Sequence, residues 1–123
     1  GGDLKRAEGM LKRALSGIAQ VSTPAEQPAL FNLTLSNLAV LHQRQGQLEK
    51  ALVFLREAET LCKWLANSDA AATHLSLCAI LSQLGNHADA EHHAVEAVKL
   101  GEADIMELAS LHNGHSFAQG TDL

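Results

Sequence analysis

The sequence predicts an all-α fold, a right-handed α-solenoid of antiparallel helix hairpins with about five to six helices, and three observations predict it. A spaced set of residues recurs three times: Gly2, Leu4, Ala7, Leu11 and Ala14; Gly46, Leu48, Ala51, Leu55 and Ala58; Gly85, His87, Ala90, Ala94 and Ala97. The segments that follow these glycines are amphipathic at helical period, whereas the segments in front of Gly46 and Gly85 are apolar on several sides, as a helix packed between neighbours must be. No stretch carries a credible strand pattern.

Residues 3–20 read as the outer (B) helix of a first repeat, entered directly from Gly1-Gly2-Asp3, so the chain is expected to be a piece of a longer protein. The repeat glycines are 44 and then 39 residues apart, and the difference falls in the proline-bearing linker Ser22 to Pro28. A second repeat spans about residues 24–66. Thr23-Pro24-Ala25-Glu26 matches a capping box with proline at the first helical position, with Pro28 as the alternative start. In its inner (A) helix, Leu35, Leu38, Ala39 and His42 form one stripe, while Leu33, Asn37, Val40 and Arg44 lie opposite. Its B helix is expected from about Leu48 to Leu65, with Leu48, Leu52, Leu55, Cys62 and Leu65 inward. Asn67-Ser68-Asp69 is expected to end it and cap the next helix.

The third repeat covers about residues 70–100, with His74, Leu77, Cys78 and Leu81 inward and Ala72, Ser76, Ala79 and Gln83 opposite. Gly101 is expected to close its B helix. Residues 102–112 are expected to form a capping or partial A helix, stopped by Asn113-Gly114, and residues 113–123 a flexible tail.

A turn glycine with alanines five and twelve residues after it resembles the tetratricopeptide repeat, best in the segment from Asn37 to Ala58, and the resemblance runs from Gly2 to about His112. The period, above the basic length of about 34 residues, is similar to the longer-helix variety of kinesin light chains and LGN-type scaffolds. The chain departs from the family consensus at the aromatic positions, which are Leu35 and His74, Leu48 and His87, and Leu55 and Ala94, and it lacks the proline after the B helix. The resemblance implies a protein-interaction scaffold whose A helices line a concave groove. The exposed stripe of this chain is then Leu33, Ser36, Asn37, Val40, Gln43 and Arg44, followed by Ala72, Leu75, Ser76, Ala79, Ser82 and Gln83. Leu33, Val40 and Leu75 offer apolar pockets, and the Asn37 and Gln43 amides can hydrogen-bond a peptide backbone. In the resembled scaffolds an asparagine matching Asn37 holds the ligand's main chain. Repeats that clamp the acidic C-termini of heat-shock chaperones carry Lys and Asn where this chain has Ser36, Val40, Leu75 and Ala79, so that ligand class is disfavoured.

Charge points the same way. Residues 1–63 carry eight basic and six acidic side chains, residues 64–123 one and eight, so an amphipathic or partly basic protein segment is the expected partner. A net charge of -5 and a pI near 5.7 argue against nucleic acid. No apolar run approaches the roughly 18 residues of a membrane span. Two cysteines, Cys62 and Cys78, are too few for a disulfide framework and point to a reducing, cytoplasmic setting. No phosphate loop, dinucleotide fingerprint or nucleophile elbow is present, and no enzyme activity, cofactor or metal is expected. Among the seven histidines, His87/Glu91 and His92/Glu96 have the metal-ligand spacing of a helix, a weak signal, and His42 and His74 are expected as hydrogen-bonded core histidines. A second reading is structural: Leu4, Leu11, Leu15 and Ile18 of the first helix could pair two copies of the chain, with Lys5, Arg6, Lys12 and Arg13 meeting the acidic half of another.

Overall fold

The computed structural model describes the backbone of residues 2–121 and the side chains of residues 2–111. Among these, five α-helices and one short 3₁₀ turn follow in order: α1 (Gly2–Val21), α2 (Pro28–Arg44), α3 (Leu48–Glu59), the turn Cys62–Trp64, α4 (Asn67–Gln83) and α5 (His87–Thr121). Consecutive helices pack on one another, and α2 also touches α4, which is the neighbour-on-neighbour pattern of a repeat stack. No described helix is long and apolar enough to cross a membrane.

The hairpin turns are built alike. At the end of α2, Gln47 N–H donates to His42 C=O (2.8 Å) and Gly46 N–H to Gln43 C=O (3.0 Å). At the end of α4, Asn86 N–H donates to Leu81 C=O (2.8 Å) and Gly85 N–H to Ser82 C=O (3.0 Å). These are Schellman caps, and they require a left-handed residue, which Gly46 (φ 75°) and Gly85 (φ 83°) supply. Past each turn the recurring alanines are notches: Ala51 and Ala58 are fully buried, and Ala90 and Ala97 nearly so. The core divides into two clusters, one around Leu55, Leu77, Ile80 and Leu81, the other around Phe31, Leu35, Ala58 and Leu61. A core distributed hairpin by hairpin is what stacking predicts.

Several boundaries differ from the sequence expectation, each for a local reason. Thr23 and Glu26 do make the reciprocal capping-box bonds, Thr23 N–H to Glu26 Oε1 at 3.2 Å and Glu26 N–H to Thr23 Oγ1 at 3.3 Å, but these close a single turn. Helix α2 starts at Pro28, whose missing N–H and fixed φ suit a first helical position. Helix α3 stops at Glu59 rather than near Leu65, because the chain tightens to three-residue bonds, Leu61 N–H to Ala58 C=O (3.0 Å) and Trp64 N–H to Leu61 C=O (2.9 Å). Asn67 does not cap α4. Ala66 occupies the cap position without a side-chain bond, and the Asn67 amide donates instead to Asp104 Oδ1 of α5 at 3.1 Å.

The expected break at Gly101 is absent. Helix α5 runs on through it, because Gly101 lacks the left-handed φ of a cap and no proline follows to stop the helix. There is therefore no separate helix over residues 102–112, and the exposed Ile105, Met106, Leu108 and Leu111 belong to the extension of α5. The tail expected over residues 113–123 lies outside the residues described with side chains, as do His112 and His115.

Candidate functional site

The A helices α2 and α4 lie side by side in register, their facing residues about forty positions apart in sequence. Near the start of both helices, Asn32 Nδ2 donates to Thr73 Oγ1 at 2.9 Å, and both residues are buried. Thr73 Oγ1 in turn donates to Asp69 C=O at 3.2 Å, so its single proton and one lone pair are both used. At the other end Gln43 Nε2 donates to Gln83 Oε1 at 3.0 Å. Neither cross-helix bond was legible in the sequence, since a helical wheel gives the face of a residue and not its partner.

Between these two bonds the outward stripe is open. A hollow of about 360 Å³ is lined by Leu33 and Ser36 of α2 and by Asp69, Ala72 and Ser76 of α4, with Asn32 and Thr73 beneath. A smaller one of about 100 Å³ continues it along Ser36, Val40 and Gln43 opposite Ser76 and Ala79. Asn37, Val40 and Arg44 turn to the other side of α2, where with Ala7, Met10 and Leu11 of α1 they line a third hollow of about 430 Å³. Shared Ser36, Ser76 and Val40 make the three contiguous. Leu33, Val40 and Leu75 are 58%, 42% and 56% exposed, and apolar side chains this far out of the core are available to a partner. Leu75 and Ser82 are exposed beyond the walls of these hollows, and Gln83 serves as the partner of Gln43. Met10 of α1, 58% exposed, and Asp69 of α4, read from the sequence only as part of a cap, are wall residues that helical spacing did not place in the groove.

The groove has charge polarity. Asp69 lies at the amino end of the α2/α4 hollow and Arg44 at the carboxyl end of the adjoining α1/α2 hollow, about 22 Å apart along the helix axes at 1.5 Å per residue. That length suits about seven residues of extended chain.

Histidines gather elsewhere. His42 is buried, its Nδ1 2.8 Å from Gln47 Oε1 and its ring stacked on Phe54, a core histidine as expected. His74 of α4, half-buried, and His93 of α5, buried, face each other Nδ1 to Nδ1 at 2.9 Å. Arg56 of α3 donates from Nη1 to His93 Nε2 (2.8 Å) and to Glu59 Oε1 (3.1 Å). Burial pushes the His93 imidazole below its usual range, against the opposing pull of the Glu59 carboxylate. Burial and the same carboxylate push the Cys62 thiol up, so it remains protonated. The sequence spacings His87/Glu91 and His92/Glu96 do not form this cluster, which assembles from three helices. The apolar residues considered for self-association are partly used within the chain, as Leu15 and Ile18 of α1 pack against the Phe31, Leu35, Ala58 and Leu61 cluster.

Among known families, the tetratricopeptide repeat matches residues 30–103. No curated protein and no solved structure matches the chain.

Proposed function

Because the chain belongs to the tetratricopeptide-repeat family, whose repeats mediate protein–protein interaction and are typically non-enzymatic scaffolds, we propose that it binds a segment of a partner protein along the α2/α4 groove and the adjoining α1/α2 hollow. The observation that carries this reading is the exposure of Leu33, Val40 and Leu75 along A helices whose opposite faces are buried. Their burial by a ligand is worth about 25 cal/mol per Å² of apolar area covered, which is the main source of affinity in such a groove. The Asn37 amide, exposed and able both to donate and to accept, fixes the ligand backbone.

The ligand in this reading is amphipathic, with a basic residue towards Asp69 and an acidic one towards Arg44. Its setting is the reducing cytoplasm, in keeping with two free cysteines, Cys62 and Cys78. Peptides selected from a random library against the folded chain test the proposal. Changing Asn37→Ala and Arg44→Glu together is expected to weaken the selected peptides at least tenfold, about 1.4 kcal/mol, with helicity unchanged. Equal affinity of wild type and double variant for every selected peptide would contradict binding that spans the α2/α4 groove and the α1/α2 hollow.

A further inference from the structure

The cluster on the far side of α4 has the makings of a metal site. Glu59 at the end of α3, His74 on α4 and His93 on α5 each offer one ligand atom, and the three atoms lie within 4.8 Å of one another. His93 Nδ1 is 2.9 Å from His74 Nδ1 and 3.8 Å from Glu59 Oε2. A tetrahedral ion with zinc–nitrogen and zinc–oxygen bonds of about 2.0–2.2 Å holds its donors about 3.3 Å apart, so the two imidazoles part slightly and the Glu59 carboxylate draws in. Two imidazoles and one carboxylate are a borderline donor set, and the fourth position is left to water. We propose that Glu59, His74 and His93 bind a zinc-class divalent ion that ties α3, α4 and α5 together.

The surrounding residues support it. His93 is 3% exposed, so packing and its hydrogen bonds hold the imidazole in one orientation. Arg56 keeps one Glu59 oxygen, Oε1, and thereby turns Oε2 towards His93, the role of an outer-sphere residue. Arg56 also donates to His93 Nε2, which keeps the His93 proton on Nδ1, where the ion would bind. Binding therefore moves that proton from Nδ1 to Nε2 and turns the Arg56 guanidinium off the ring. Its side chain is 39% exposed and has water to turn into. Arg56 is thus a brake on affinity as well as an aid to geometry.

Tag-free chain, stripped by chelation and dialysed, is titrated with Zn²⁺ by calorimetry and thermal melting. One equivalent is expected to bind, with the melting temperature raised by about 10 °C at a hundredfold excess over Kd. His74→Gln and Glu59→Gln, both at incompletely buried positions, should each weaken binding at least tenfold, while His92→Gln leaves it unchanged. Cobalt-substituted wild type should show the strong visible absorption of tetrahedral coordination, a readout that needs no variant. Absence of saturable binding at micromolar Zn²⁺, or binding that survives both ligand substitutions, overturns the proposal.

Discussion

Asn32 and Thr73 carry the cost of lining a groove with polar atoms from beneath. Both are buried, and each supplies what the other lacks. Changing Thr73→Val keeps the shape but leaves the Asn32 amide without its acceptor, so stability should fall by about 1–3 kcal/mol, and Asn32→Leu added to it should return part of the loss. Urea denaturation of the single and double variants checks this. An additive result, with the second change costing as much alone as in combination, would mean the two side chains do not act as a pair. At the same scale lies the part of the candidate site that the sequence could not disclose. Leu33, Ser36, Ala72 and Ser76 follow from helical spacing, because period alone selects a face. Met10 and Asp69 join the walls only through the approach of α1 and α4, and His74 meets His93 only because α4 and α5 fold back on each other.

Helices here are specified by their ends and by their notches. A Cβ at Gly46 or Gly85 would meet no atom within 4 Å, so the cost of alanine there is conformational alone. Gly46→Ala should cost about 1 kcal/mol in equilibrium denaturation, and Gly46→Asn less, because asparagine tolerates the left-handed region. Gly101 is the opposite case. Within a continuous α5 with open space beside it, Gly101→Ala should stabilise by about 0.5–1 kcal/mol, whereas a destabilisation would mean that the helix does end there. Alanine notches give the third test: Ala51→Leu or Ala58→Leu, both fully buried, should cost about 1–3 kcal/mol through overpacking, while Ala14→Leu, exposed on α1, should be near neutral. Glycine and alanine spacing made the hairpins legible, since only a positive φ and a close helix approach demand those residue types at those offsets. Helix lengths were less legible. Asn67 resembles a cap yet bonds Asp104, and nothing local to residues 60–65 announces the tightening that ends α3.

At the scale of the whole molecule, two separate core clusters and neighbour-on-neighbour packing leave one side of α2 and α4 out of the interior. An open stack has a face to offer because it does not close on itself, and the Leu33, Val40 and Leu75 side chains are what that face presents. The all-helical repeat architecture was readable from periodicity and the family from the resemblance of the Asn37 to Ala58 segment, whereas the division of the stripe into an α2/α4 groove and an α1/α2 hollow needed the packed helices. The most direct test of an interaction surface on this side is residue-specific photo-crosslinking in cell extract. A photoreactive amino acid is placed in turn at Ser36 and Ser76 in the groove and at Val53, 57% exposed on the outer helix α3. The account predicts a discrete protein adduct from Ser36 and from Ser76, suppressed by a library-selected peptide, and none from Val53. Adducts from Val53 with silence at both groove positions would contradict it.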